Sequence, residues 1–296
     1  MASAQSGGVR ERSKGSGRPK QDKGARLVRR ASGPEEPPLR DRHRLYQLSV
    51  QCPEADVKFF TRIFRTLRGR IPLSLKEDFC GTAHLSGEWV RSLPERTAVG
   101  VDLDQPTLDW GRRYNLAKLG AAADRVTLIK DDVRHVREPR VDLVAAMNFS
   151  YFVFKQREEL RGYFSSVKDS LKRDGVCIVD IFGGWEAQQL TTETKKLDGF
   201  RYQWQQAHFD PITHDTTFFI HFRFPDGSMI KRAFRYDWRF WTVPEVRELL
   251  AEAGFAHTEV YWEGTERDTG EGNGGFKPAR QAKSCAGWIA YILAWS

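Results

Sequence analysis

The segment Glu77-Asp78-Phe79-Cys80-Gly81-Thr82-Ala83 puts two acids and a short run of small residues between a strand-like stretch and a helix-like one. A strand that ends in such a turn lets the backbone approach a ligand closely. The helix N-terminus that follows presents free N–H groups to a carboxylate or a phosphate. About twenty residues on, Asp102 ends a second strand-like run, where a carboxylate can accept hydrogen bonds from two ribose hydroxyls. Asp131 and Asp132 end a third run, where an acid can accept from an adenine amino group.

Two further clusters carry chemistry. Asn148-Phe149-Ser150-Tyr151 ends a fourth strand-like run, and its Asn148 and Tyr151 can orient a second ligand or simply close a strand end with aromatic packing. Downstream, Phe218, Ile220, Phe222 and Phe224 share one face of an alternating segment, with Phe219, His221 and Arg223 on the other; Tyr236, Trp238, Phe240 and Trp241 follow on the return. An aromatic cover of this kind suits an apolar or cationic ligand, or else is core. His221, His208 and His214 are candidates for a general base, although a lone histidine is more often structural. No metal-ligand spacing is evident, and no metal is expected.

The elements that must position these residues alternate. Residues 73–79, 97–103, 125–130, 141–147 and 176–182 read as strands. Helices are expected at 83–92, at 105–119 with Asp104 as N-cap, and around Leu160, Tyr163, Phe164, Val167 and Leu171. An earlier helix starts near Pro53 and carries Val57, Phe60, Phe64 and Leu67. Continuous apolar strands separated by helices imply an α/β fold with a Rossmann-like, doubly wound, mostly parallel sheet. After Gly184 the pattern breaks. Residues 185–241 read as an antiparallel, aromatic-rich insertion, with a hairpin over 216–236 turning at Pro225-Asp226-Gly227. A helix at 243–253 follows, opened by a Thr242/Glu245 capping box and ended by Gly254. Strands at 257–262 and 286–294 close the chain, the last one antiparallel.

The net charge is +8, but residues 1–44 alone hold 12 Lys/Arg against 5 Asp/Glu, so the remainder is nearly neutral. A disordered basic tail over 1–44 is expected, because it lacks the apolar residues to offset ordering entropy. It is a solvated tail or a tether for nucleic acid or an acidic partner; Arg29-Arg30-Ala31-Ser32 within it resembles a basophilic kinase site. Cys52, Cys80, Cys177 and Cys285 form no C-x-x-C pair, no secretory segment follows Met1, and no run of 18 apolar residues occurs. A cytoplasmic protein with reduced thiols and no membrane span is expected, with Cys177 and Cys285 in the core.

Taken together, the residues from 45 to 296 resemble class I S-adenosylmethionine-dependent methyltransferases of the small-molecule type, whose first motif is E-x-G-x-G-x-G. Glu77 stands at the acid and Cys80-Gly81-Thr82 at the centre, with Phe79 in place of the first glycine and Ala83 in place of the last. Asp102 after Ala98-Val99-Gly100-Val101, Asp131-Asp132-Val133, Leu171…Gly175 and Trp241-Thr242…Glu245…Leu249-Leu250…Ala253-Gly254-Phe255 extend the likeness. The resemblance implies S-adenosyl-L-methionine as cofactor, held by Glu77, Phe79, Cys80, Gly81, Thr82, Ala83, Asp102, Leu103, Asp131, Asp132, Val133 and Asn148. In it Asp102 serves the ribose, Asp132 the adenine amino group and Gly81 the methionine end, while Glu77 contacts the ligand or orients the loop. Residues 148–151 would face the transferred methyl. The two prolines of the Asn-Pro-Pro-Tyr found in nucleobase and glutamine methyltransferases are missing, which disfavours those acceptors. The insertion resembles the antiparallel addition of glycine N-methyltransferase-like enzymes. The expected function is methylation of a small-molecule N or O acceptor, with Asn148, Tyr151 and His221 as catalytic candidates. The alternatives are an RNA or protein methyltransferase recruited through the tail, and a non-catalytic scaffold that retains the fold.

Overall fold

The computed structural model describes residues 35–266 and 272–296. Residues 1–34 of the tail expected over 1–44, with its kinase-like stretch, lie outside the described residues.

Strand β1 (Ser74–Asp78) is buried on both faces, as a central strand of a parallel sheet must be. It pairs in parallel with β2 (Thr97–Asp102) on one side and with β4 (Val141–Ala146) on the other. Beyond these lie β3 (Val126–Lys130), paired to β2, and β5 (Leu171–Gly183), paired to β4. The strand order therefore reverses between β1 and β4, and the crevice outside their C-terminal ends is where open α/β sheets bind ligands. Strand β12 (Trp288–Trp295) runs antiparallel to β5, and β10 (His257–Thr265) runs antiparallel to β12. The expected sheet and its antiparallel last strand are both present. An unforeseen strand, β11 (Gly272–Pro278), adds to the β10 edge.

Both sheet faces are covered. Helices α2 (Pro53–Arg68) and α3 (His84–Ser92) press Phe60, Phe64 and Trp89 onto Leu75, Leu143, Ile178 and Leu293. On the other face, α5 (Arg157–Asp169) and α6 (Val243–Glu252) bring Leu160, Phe164, Leu249 and Leu250 against Val101, Val144, Val179 and Ile292. The α6 capping box forms as expected: Thr242 Oγ1 accepts from Glu245 N at 3.4 Å, and Glu245 Oε2 accepts from Thr242 N at 2.9 Å. Among the described residues, no helix is long and apolar enough to cross a membrane.

The insertion is a separate antiparallel sheet in the order β6 (Thr191–Leu197), β7 (Phe200–Phe209), β8 (Asp215–Arg223), β9 (Met229–Arg239). The expected hairpin is β8–β9, and Gly227 takes the left-handed φ of 83° that its turn requires.

Three expectations are corrected. The boundary at residue 44 falls inside a helix, α1 (Arg42–Val50), whose N-cap Asp41 accepts from His43 N and Arg44 N at 2.9 and 3.0 Å. Leu45 holds it down by packing among Phe200, Phe222 and Phe224 of the second sheet, and Arg40 lies 4.3 Å over the Phe224 ring while pairing with Asp226. The helix expected over 105–119 stops earlier: α4 (Gln105–Tyr114) gives way to 3-10 turns over Leu116–Arg125, with Gly120 left-handed at φ 56°. Finally, Cys285 lies in the loop before β12 and is half-exposed, not in the core.

Helix α4 reaches the β1 turn through a bare backbone. A Cβ on Gly111 would stand 2.5 Å from the Thr82 carbonyl oxygen. Gly111→Ala gains about 1 kcal/mol of helix propensity but must push the turn away, so a net loss of about 2 kcal/mol is expected. Urea denaturation checks this; an unchanged or higher midpoint would mean that the turn yields freely.

Candidate functional site

The turn after β1 keeps left-handed backbone at all three positions where the resemblance has glycine: Phe79 at φ 57°, Gly81 at 51° and Ala83 at 53°. Non-glycine residues resist this conformation by about 1 kcal/mol each, so neighbours must hold it. The Phe79 ring wedges beside Phe154 and Tyr163, with centroids 5.9 and 5.7 Å away. Ala83 and Cys80 are buried with Leu108. Thr82 is gripped twice: its Oγ1 accepts from Gln47 Nε2, and its carbonyl from Asn115 Nδ2, both at 2.7 Å.

The Glu77 carboxylate is engaged by the helix that follows the turn. It is buried and accepts from Ser86 N at 2.8 Å and Ser86 Oγ at 2.5 Å, in the first turn of α3. Both bonds fall on Oε2, so Glu77 orients the turn through that oxygen, and Oε1 has no partner among the described residues. Burial pushes its carboxyl up to about 8. Beneath the turn, Lys76 pairs with Asp78 at 2.7 Å, and Tyr163 donates to Asp78 Oδ2 at 3.0 Å.

Asp102 stands at the end of β2. Its Oδ2 accepts from Gly81 N at 2.8 Å and its Oδ1 from Asp104 N at 2.9 Å, so each oxygen keeps a free lone pair. Leu103 beside it is 66% exposed, an apolar side chain laid open at the crevice edge. Asp132 takes both arms of Arg134, at 2.9 and 2.6 Å, and this guanidinium holds its carboxyl below the usual range. Asp131 is exposed and lies 3.2 Å from His135 Nδ1. The Val133 side chain packs in the core.

Across the switch point, Asn148 and Phe149 are both left-handed, at φ 59° and 57°. Asp180 on β5 fixes them by accepting Asn148 N at 2.7 Å and Phe149 N at 2.8 Å; burial pushes this acid up to about 7. These two residues border a cavity of about 430 Å3 between the ends of β4 and β5 and the second sheet. Its walls include Phe182, Trp204, Phe218, Tyr236 and Trp238, and α1 contributes Tyr46, Ser49 and Val50.

Two catalytic candidates are displaced from this cavity. The left-handed pair at 148–149 turns the chain so that Tyr151 enters the core; it has no exposure and its hydroxyl finds no partner. His221 points away from Phe218 and Ile220, which border the cavity. Its Nδ1 accepts from Arg232 N at 3.1 Å and its Nε2 lies 3.0 Å from Gln205 Oε1. Neither His208 nor His214 borders the cavity. Asn148 alone of the three remains at the site. The residues that sequence reasoning missed are Asp180, whose signal was one acid in an otherwise apolar strand, and Gly111 and Gln47, which carried none.

Glu77 gives a pH test. An unfolded glutamate titrates near ~4.3, so between there and about 8 the folded chain holds a proton that the unfolded chain has released. Stability therefore falls as pH rises through that window. Glu77→Gln keeps an acceptor for Ser86 and removes the titration. Between about pH 5 and about pH 8 its Tm should fall less than that of the unmodified protein; equal slopes would show that Glu77 does not titrate there.

The comparisons with known proteins concern this architecture. A scan against protein-family models finds no match, and a search of curated proteins finds none. Solved structures do match. An S-adenosylmethionine-dependent methyltransferase from Clostridium acetobutylicum is 15% identical, with a TM-score of 0.60 over 86% of this chain and 97% of that one. DesVI of Streptomyces venezuelae is 18% identical, with a TM-score of 0.61 over 86% and 95%. CalS10, an amino pentose methyltransferase from Micromonospora echinaspora, is 14% identical, with a TM-score of 0.60 over 88% and 99%. At these identities the likeness is one of architecture. The chain has the fold of the S-adenosylmethionine-dependent methyltransferases.

Proposed function

We propose that this protein is an S-adenosylmethionine-dependent methyltransferase acting on a nitrogen or oxygen atom of a small molecule. The observation that carries this reading is the pairing of two features across one switch point: a left-handed turn with a strand-end carboxylate on the β1–β2 side, and an aromatic cavity opening at Asn148 on the β4–β5 side. The amino pentose methyltransferase among the structural neighbours supports a small-molecule acceptor. The four unpaired cysteines support a cytoplasmic setting.

The residues present fit the cofactor. Asp102 has a free lone pair on each oxygen for two ribose hydroxyls. A Cβ on Gly81 would meet nothing closer than Thr107 Cγ2 at 3.9 Å, so the turn offers open space where the methionine end would pass. Leu103 would cover an adenine face. Asp132 would accept from the adenine amino group with the lone pairs that Arg134 leaves. When bound, the cofactor supplies a methyl group already activated by its sulfonium charge. What the protein adds is position and dryness. Glu77 fixes the β1 turn through Ser86, and Asp180 fixes Asn148 through its backbone N–H. Among the described residues no group engages the Asn148 carboxamide, which is free to accept from an N–H or O–H of the acceptor. The aromatic walls exclude water around it.

Calorimetric titration with S-adenosylmethionine and S-adenosylhomocysteine tests this reading, with Asp102→Ala beside the unmodified protein. Binding in the micromolar range is expected, weakened about tenfold or more by the substitution, as loss of two hydrogen bonds to a carboxylate implies. Absence of binding, or equal binding by the variant, would overturn it.

A further inference from the structure

The cavity beside Asn148 is built for positive charge. Its lining includes three aromatic pairs: Trp204 stacks on Phe218 with centroids 4.6 Å apart, Tyr236 and Trp238 lie at 4.6 Å, and Phe149 and Phe182 at 4.7 Å. Aromatic rings carry a quadrupole whose negative face attracts cations. Glu186, Glu193 and Glu263 border the same space, and none has a cationic partner among the described residues; Glu186 and Glu193 are exposed at its rim. They also lie near enough to interact: burial, and then the Glu186 charge, hold the Glu193 carboxyl above its ordinary range. Among the described residues, no lysine, arginine or histidine borders the cavity, in a chain whose net charge is +8.

A glutamine adds an acceptor. Gln206 is 4% exposed and borders the cavity. Its Nε2 donates to the Ala187 carbonyl at 2.8 Å, with Thr216 Oγ1 at 3.4 Å. That leaves its Oε1 without a partner among the described residues. That oxygen can accept from a ligand N–H, and unneutralised carboxylates repel an anion. A ligand that meets all three supplies N–H donors and positive charge.

We propose that this cavity takes an aliphatic amine and distinguishes it from a neutral isostere by its charge. The role of that amine as methyl acceptor rests on the methyltransferase reading; its binding does not. The chemistry agrees. Bound as its ammonium, the amine first gives a proton to solvent; the freed nitrogen lone pair then makes the N–C bond and the C–S bonding pair returns to sulfur. The positive charge passes to nitrogen, and the surplus proton stays on the alkylammonium or leaves to solvent. Ring faces and carboxylates then stand where charge develops, which favours the transition state over the neutral acceptor. A hydroxyl acceptor that gives up its proton ends as a neutral ether, and offers the carboxylates no lasting positive charge.

The test uses choline and its neutral analogue, in which carbon replaces the quaternary nitrogen. Both are titrated against the full chain at low salt, with and without S-adenosylhomocysteine, and followed by the fluorescence of Trp204, Trp238 and Trp288, which border the cavity. Choline is expected to bind about tenfold tighter than the analogue. The surface pair of changes Glu186→Gln and Glu193→Gln should shrink that ratio about threefold or more. Equal binding of the two probes, tighter binding of the neutral one, or binding of neither overturns the inference. Failure of S-adenosylhomocysteine to bind while choline still outbinds its analogue would sink the methyltransferase reading and leave the amine site standing.

Discussion

A carboxylate shut away from water must find donors or a proton, and the loops of this site take their shape from how three such groups are served. Glu77 takes Ser86, which fixes where α3 begins. Asp78 takes Lys76 and Tyr163, which ties β1 to α5 beneath the turn. Asp180 takes two consecutive backbone N–H groups, which bends the chain after β4. Burial raises the carboxyl of each of them. The opposite end of the sheet handles the same problem differently. There the Asp142 carboxylate meets Arg70 and Lys172 at 2.8 and 3.1 Å and accepts three further hydrogen bonds, from Leu73 N, Ser74 N and Ser74 Oγ; against the cost of burial these hold its carboxyl down to about 2. One edge of the sheet is closed by full ionic pairing, and the other by acids that shape turns.

Strain gathers at that second edge. Phe79, Ala83, Asn148 and Phe149 are all non-glycine residues with left-handed backbone, and they flank the β1/β4 reversal from both sides. Glycine at these positions would relax the turn but would remove the Phe79 ring from its place beside Phe154 and Tyr163, and Phe149 from the cavity wall. Backbone in sparsely populated regions persists where the surroundings over-determine it, and such places tend to be functional. Here the surroundings are the buried acids.

Much of this was legible in the sequence. The apolar runs of β2 and β5 and the small residues after β1 follow local rules of burial and turn chemistry, so the parallel sheet and the position of Asp102 could be read directly. Alternation also put His221 opposite Phe218 and Ile220; only the structure decides which face borders the cavity. What stayed hidden depends on partners distant along the chain. Asp180 reads as a single acid in an apolar strand until Asn148 is seen against it. Gly111 reads as a weak spot in a helix until Thr82 is seen beside it. Strand β6, Thr-Thr-Glu-Thr-Lys-Lys-Leu, is largely exposed and is a strand because β7 pairs with it. Helix α1 has one fully buried residue, Leu45, so its charge-rich sequence looks like the tail before it.

That helix also links two places. Through Gln47 it holds Thr82 of the β1 turn, and through Tyr46, Ser49 and Val50 it walls the cavity. If the turn receives one ligand and the cavity another, both press on the same short helix. Any preference that one has for the docked helix must then appear, by thermodynamic reciprocity, in the affinity of the other. The departure of a spent cofactor and the departure of a modified acceptor would then share a single motion. The residence time of each would be set in part by its companion.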